Sequence, residues 1–305
     1  MINRNFGEWM LLRVDDTDPK RNLPGGEDAI LRDLEWLGVR WDEGPVRSSE
    51  RRERHREAAA QLGVERLDGV TLLRDDGSPT YHLASVVDDI DFGITHVIRG
   101  NDHRPNEALH RRLHAALGTE PPDYVHHGLI LSPSGGKLSK REPFSSLADL
   151  RDAGIPAEAV RAYLEELGLP RHDVQLDLAR VRRLSVDAIA AMSDEGLAAR
   201  VGVSERVAPA LRGARDLREA RDYADLILTT PGPVSVEPET LRRFRELVAM
   251  NGADPKTIVR ELKAVGGDLR ALRLALTGSE RGPELWAVIA ALDREETLRR
   301  IDAAL

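Results

Sequence analysis

The sequence predicts an α/β unit with a mostly parallel sheet over residues 1–143, followed by an all-helical unit over residues 144–305. Two textures carry this. In the first half, short apolar runs such as "WMLLRV" (9–14), "VTLL" (70–73) and "ITHVIRG" (94–100) alternate with helical stretches such as "GEDAILRDLEWLG" and "NEALHRRLHAALG", as strands joined by crossover helices do. From residue 144 onward the strand-like alternation nearly vanishes. Segments such as "PAEAVRAYLEELG", "SVDAIAAMSDEGLAARVG", "PETLRRFRELVAMNG" and "PELWAVIAALDREETLRRIDAAL" space their apolar residues helically, with Ser or Pro near starts and Gly near stops. The 305 residues suffice for two units of roughly 150 each, and 41% hydrophobic content supplies their cores. No fixed-period repeat or low-complexity linker interrupts them, so the joint is expected to be short.

Taken in chain order, three islands of the first half carry chemistry. In "LLRVDDTDP" (11–19) an apolar strand runs into Asp15, Asp16 and Asp18. Ligand sites in parallel sheets form beyond the carboxyl ends of strands, but an Asp-rich turn capping the next helix accounts for the run equally well. A calcium loop is disfavoured, since no Gly and Glu follow at the required positions. The second island, "YHLASVVDDIDFGITHVIRGNDH" (81–103), holds Tyr81, an acidic loop at Asp88 and Asp89, and a strand ending at Arg99, with Asp102 and His103 opening the next helix. A guanidinium at a strand end is placed to grip a carboxylate with two parallel N–H bonds. His110 and His114 lie one turn apart but lack the Glu of H-E-x-x-H, so solvated or core-edge histidines are expected there. In the third, "SGGKLSKRE" (134–142), Lys137 and Lys140 sit on a Gly-hinged loop after the apolar run "LILS", which suits a phosphate clamp, although basic tripeptides on surface loops are common.

Composition narrows the classes. No cysteine is present, which excludes disulfides, thiolate zinc sites and Cys nucleophiles. A net charge of −8 gives no global attraction to nucleic acid, so a polyanion site must be local. Residues 144–305 carry 24 basic and 27 acidic side chains, and the candidate RNA face is Arg242, Arg243 and Arg245 of "LRRFREL", which reads equally as a solvated helix face. No long apolar span or basic-then-apolar leader is visible, and a soluble cytoplasmic protein is expected.

In their order and spacing the three islands resemble glutamyl-tRNA synthetase, a class I aminoacyl-tRNA synthetase. "RVDDTD" stands for the family's R-I-E-D-T-D, residues 81–103 for its Y-H-L-A…I-R-G-E-D-H element, and "KLSKR" for its KMSKS-type loop; "LRLALTGSERGPEL" looks like its C-terminal helical region. The resemblance implies an incomplete Rossmann-like catalytic domain over 1–143 and an anticodon-binding-type helical domain over 144–305. It implies ligation of glutamate to tRNA(Glu) through glutamyl-adenylate, with ATP and its Mg2+, no zinc, no membrane and a monomer. Lys137 and Lys140 would be the catalytic pair on the ATP phosphates. Tyr81 and Arg99 would hold the glutamate side chain, Asp15 its ammonium group, and Asp102 would lie on the nucleotide side.

Departures from the family pattern set further expectations. Asp15 replaces a Glu, and Asn101 replaces the acid of R-G-E-D-H. Between Arg54 and Gly69 a large acceptor-holding insertion is reduced to "HREAAAQLGVERLDG". No H-x-G-H signature occurs, "VHHGL" (125–129) having the wrong order. The first strand and its helix are thus expected to be missing, leaving a gap in the sheet and a 305-residue chain inactive as it stands. Two readings follow: a compact ligase whose true start lies upstream, or a truncated noncatalytic relative that binds tRNA or a partner. A glutaminyl enzyme fits less well because its anticodon region is a β-barrel, and a glutamyl-queuosine-tRNA synthetase lacks the helical domain.

Overall fold

The computed structural model describes residues 9–18, 22–139, 143–250 and 254–305. They fall into two compact units, one drawn from Met1–Ser145 and Leu167–Leu176, the other from Ser146–Glu166 and Asp177–Leu305. The chain therefore leaves the first unit, returns to it for ten residues and leaves again.

In the first unit the order is β1 (Leu11–Val14), α1 (Gly26–Trp36), β2 (Glu43–Arg47), α2 (Arg52–Leu62), β3 (Arg66–Leu67), β4 (Val70–Thr71), α3 (Tyr81–Asp91) and β5 (His96–Gly100). A 3-10 turn (Asn101–Asn106), α4 (Glu107–Ala116), β6 (Asp123–His127) and β7 (Ile130–Leu131) follow. Parallel pairing is present, but among the described residues it forms separate ladders, β1 with β2 and β5 with β6, not one sheet. No residue of these four strands is fully buried. The core sits instead among α2, α3, α4 and the segment after β4, on Ala58, Leu72, Leu83, Val86 and Leu113.

Two expectations are corrected here. "VTLL" does not join a parallel sheet: β4 pairs antiparallel with β3 across Asp68 and Gly69, both at positive φ, the backbone that a two-residue hairpin demands. Asp88 and Asp89 are not in a loop but in the last turns of α3. That helix is long enough to reach them because Val86 and Val87 continue its buried face.

The returning segment carries β8 (Val174–Gln175), which pairs parallel with β7. It also accepts from the Gly128 amide through Pro170 O (2.7 Å) and binds the Leu129 amide through Asp173 Oδ1 (2.9 Å). A Cβ at Gly128 would lie 1.9 Å from the His172 carbonyl oxygen. Gly128→Ala should therefore lower the stability of the first unit by roughly 2–3 kcal/mol, the cost of forcing atoms into filled space. Urea unfolding checks this; an unchanged midpoint would show that the segment yields freely.

The second unit is helical: α5 (Leu147–Asp152), α6 (Ala157–Leu167), α7 (Leu178–Ala191), α8 (Asp194–Val201), α9 (Ala208–Leu211), α10 (Leu217–Leu228), α11 (Pro238–Ala249), α12 (Pro255–Ala264), α13 (Leu269–Thr277), α14 (Leu285–Ala291) and α15 (Arg294–Ala304). Its core gathers Ile189, Leu211, Ile227, Phe244, Leu272 and Ile301, each at or near zero exposure. Two long helical patterns of the sequence are each broken in two. Ser193 accepts from the Gly196 amide and starts α8, and Asp293 accepts from the Glu296 amide and starts α15. A side-chain cap of this kind satisfies donors that a continuing helix would have paired, so the chain can turn there.

Candidate active site

Arg99 is the penultimate residue of β5, directly opposite His126 of β6 in the parallel register. Residues opposite each other in a ladder project from the same face, and Arg99 Nε donates to His126 Nε2 at 3.2 Å. From α4, whose buried face is Leu109, His110 and Leu113, the His110 ring reaches Arg99 NH1 through Nδ1 at 3.3 Å. The Tyr124 ring lies under the guanidinium, 4.8 Å from Cζ to centroid. Among the described residues, the buried Arg99 NH2 has no hydrogen-bond partner, and neither has the buried Tyr124 hydroxyl. A buried donor without an acceptor is costly and usually marks where water or a ligand belongs.

Tyr81 is the first residue of α3, and its ring packs edge-on to His82 (5.4 Å between centroids) and against His103 (5.7 Å) and His110 (5.8 Å). His82 Nδ1 meets His110 Nε2 at 3.2 Å. Burial, followed by the charge of Arg99, pushes His110 down to about 3 and lowers His82 and His126 as well. The rings around Arg99 are thus neutral at ordinary pH. Burial pushes the Asp89 carboxyl up to about 6 against the pull of Arg13, while burial and the Asp89 charge push the Tyr124 phenol up to about 12. His110 and His114, expected at the surface or the core edge, are both buried. The His114 ring turns to Thr119 Oγ1 at 3.1 Å, so the two histidines face different partners.

Asp102, in the 3-10 turn after β5, pairs with Lys137 (Oδ2 to Nζ 3.6 Å), which follows β7. This joins two residues expected on the nucleotide side. Lys140, the other expected lysine, lies outside the described residues. Asn101 donates to Asp173 Oδ1 at 2.8 Å. The Leu129 amide and Asn101 hold the Asp173 carboxyl below its usual range. An acid at position 101 would meet that carboxylate with like charge, which accounts physically for the amide found there.

Asp15 stands apart: it is exposed, its Oδ1 accepts from Thr17 Oγ1 at 2.9 Å, and no bond among the described residues joins it to Tyr81 or Arg99. The acidic run does not cap α1, which begins after Gly25. Asp16 instead accepts from the Ser49 amide (2.7 Å) and its hydroxyl, and Arg74 donates to Thr17 O (3.0 Å). The end of β1 is thereby tied to two other parts of the unit.

Behind this region lies a cluster that the motifs did not reveal. Asp88, 1% exposed at its side chain, receives Arg51 Nε and His55 Nε2 on Oδ1, each at 2.8 Å, and Arg13 NH1 on Oδ2 at 3.3 Å. Burial works against its charge, but the bonds from His55 and Arg51 outweigh it and hold the carboxyl below its usual range.

Comparison with known proteins decides what this arrangement belongs to. The family model of the catalytic domain of class I tRNA synthetases (E and Q) matches residues 1–64 and 61–180, and that of an anticodon binding domain matches residues 256–305. The glutamate–tRNA ligase 1 of Rubrobacter xylanophilus is 32% identical over an alignment 400 positions long, covering all of this chain and 92% of that protein. The chain belongs to the glutamate–tRNA ligase family of class I tRNA synthetases.

A second member of that family, glutamate–tRNA ligase 2 of Rhodospirillum centenum, is 29% identical over 99% of this chain and 93% of its own length. The crystal structure of a glutamate tRNA ligase from Elizabethkingia meningosepticum, in complex with its amino acid, shares the fold at a TM-score of 0.74 and 21% identity, over 96% of this chain and 91% of that one. The class I catalytic domain and the anticodon-binding domain are thus both present. The two catalytic matches overlap at residues 61–64, at the end of α2 and the turn after it. No described helix is long and apolar enough to cross a membrane.

Proposed function

We propose that this chain joins glutamate to tRNA, using ATP, through a glutamyl-adenylate intermediate. In the first step a glutamate α-carboxylate oxygen attacks the α-phosphorus of ATP, forming a new P–O bond as pyrophosphate leaves. In the second, a terminal ribose hydroxyl of the tRNA attacks the acyl carbon, AMP leaves with the bonding pair, and the hydroxyl proton passes to solvent.

Arg99 carries the reading. Its NH2 is buried without an acceptor, and a planar guanidinium suits the side-chain carboxylate of glutamate. Tyr81 joins the same cluster through its ring contact with His110. Asp15, exposed and bonded only through Oδ1 to Thr17 among described residues, keeps a carboxylate oxygen for the substrate ammonium group. Lys137 would exchange Asp102 for the phosphates as ATP arrives. Magnesium would come on the ATP phosphates, since among the described residues no three His, Asp or Glu side chains converge to hold it. In the helical unit, Arg243 is paired with Glu246 (3.0 Å) and Arg245 with Asp302 (2.6 Å). A tRNA phosphate there would have to displace an acid.

Lys140 is assigned to the transferring phosphates by its place in "KLSKR". Lys140→Ala in the full-length protein should cut glutamate-dependent ATP–pyrophosphate exchange by on the order of a hundredfold, the typical loss on removing a preorganised charge. Binding of tRNA should be retained. Exchange at the parent rate would remove the lysine from the chemistry; exchange driven by an amino acid other than glutamate would overturn the substrate.

A further inference from the structure

Arg99 departs from the usual arrangement of a half-buried arginine: the neighbours that orient it are histidines, not carboxylates. The consequences follow from hydrogen-bond inventory. A guanidinium has five N–H donors, no acceptor, and keeps its proton throughout the accessible pH range. Any ring nitrogen facing it must present a lone pair. His110 therefore carries its proton on Nε2, which points to His82 Nδ1 at 3.2 Å. His126 carries its proton on Nδ1, which faces Glu107 Oε2 at 3.6 Å. Two donor chains leave Arg99 in different directions, one through His110 to His82 and one through His126 to Glu107, and both orientations are set by the same cation. Both rings are nearly inaccessible, with His110 1% exposed as a residue and the His126 side chain 3%.

We propose that His110 and His126 are positioning residues for glutamate recognition: as neutral acceptors they fix the Arg99 guanidinium with NH2 unpaired, without neutralising the charge that the substrate carboxylate meets. This rests on the reading of Arg99 as the partner of that carboxylate. A protein carboxylate in place of either ring would orient Arg99 equally well, but it would cancel the positive charge, and glutamate would have to compete with it. A neutral acceptor takes up Nε and NH1 without adding a negative charge beside NH2; Asp89 acts on Arg99 through its field and makes no bond with it among the described residues. The same arrangement disfavours glutamine. Arg99 offers only donors, and the lone pairs of the two rings are already used, so an amide NH2 group finds no acceptor on these side chains. The depressed protonation of His110 and His126, caused first by burial and then by Arg99 itself, agrees with rings that stay neutral.

The test uses L-glutamate and the full chain. His110→Ala and His126→Ala should each weaken glutamate affinity, measured by calorimetry, by roughly ten- to hundredfold, the usual range for leaving a buried donor unpaired. ATP affinity should stay within about threefold. His110→Gln and His126→Gln, which restore a side-chain carbonyl acceptor, should recover most of the loss; a ring needed only for packing would not be rescued in this way. Nitrogen-15 spectra of the imidazoles provide a readout that survives misfolding of any variant: the parent protein should show the Nε2–H tautomer for His110 and the Nδ1–H tautomer for His126 at neutral pH. Reversed tautomers, or alanine variants that bind glutamate like the parent while Arg99→Lys does not, would overturn the positioning role and leave the Arg99 reading intact. Undiminished glutamate affinity in Arg99→Lys would overturn that reading itself.

Discussion

Asp88→Ala should destabilise the first unit by about 3–5 kcal/mol, the range for removing one member of a buried ionic cluster. Asp88 brings together three cationic or hydrogen-bonding side chains: Arg13 of β1, Arg51 before α2, and His55 within α2. The carboxylate is 1% exposed and His55 0%, while Arg13 and Arg51 are 22% and 23% exposed at their side chains. Without the anion, Arg13 keeps only the longer pairing with Asp89 (3.9 Å) among its carboxylate partners, Arg51 keeps Asp91, and His55 Nε2 loses its partner in a site with no exposure. Arg13 also donates to Ser85 Oγ at 2.9 Å, and Arg51 to Asp91, so neighbouring bonds would shift as well. Urea unfolding followed by tryptophan fluorescence reads this out, because Trp9, Trp36 and Trp41 lie in the first unit and only Trp286 in the second. The sign with pH is fixed by the depressed carboxyl value: its stabilisation is complete above the ordinary 3.8 and is lost as pH falls through the lower folded value. The gap between parent and variant should therefore narrow in acid. A gap that is small at neutral pH, or that stays constant on acidification, would show that the cluster is held by packing alone.

This cluster also shows what the sequence could and could not disclose. Helices were legible because their apolar spacing repeats and their caps are local; even where two long patterns broke, Ser193 and Asp293 stood at the breaks as recognisable capping residues. Arg99 was legible as a guanidinium at a strand end. Its surroundings were not, since they depend on the register that sets Arg99 against His126, 27 residues away. Read locally, "VHHGL" looked like a failed motif, when its first histidine is an acceptor for Arg99. Asp88 was visible as an acid but its partners lie 33, 37 and 75 residues distant, and no local period encodes such a meeting. The Asp68–Gly69 pair is a hairpin signal that a parallel-sheet reading of "VTLL" passes over. Splitting of the parallel strands into two ladders has no local signature at all, because each strand has the same alternation whether or not a neighbour fills its open edge.

Arg99→Ala should reduce kcat/KM for glutamate in the full-length protein by on the order of a thousandfold, in keeping with the 2–5 kcal/mol lost when one member of a buried charged pair is truncated. Three effects act together. The substrate carboxylate would lose the charge-assisted N–H donors of the buried NH2. His110 and His126 would each lose the donor that orients the ring, at 3.3 and 3.2 Å respectively. Tyr124, whose ring lies 4.8 Å from the guanidinium, would lose a stacking partner. Arg99→Lys should recover only part of this, because a compact ammonium group cannot reach both ring acceptors and still hold a donor where NH2 lies. The loss should fall on glutamate and spare ATP: KM for ATP is expected within a few-fold of the parent, since Lys137 and Asp102 pair with each other and share no bond with Arg99 among the described residues. Glutamate-dependent ATP–pyrophosphate exchange at varied concentrations of each substrate separates the two. Equal losses for glutamate and ATP would mean that the substitution had disturbed the unit as a whole, and an unchanged glutamate KM would place the carboxylate somewhere other than the buried NH2 of Arg99.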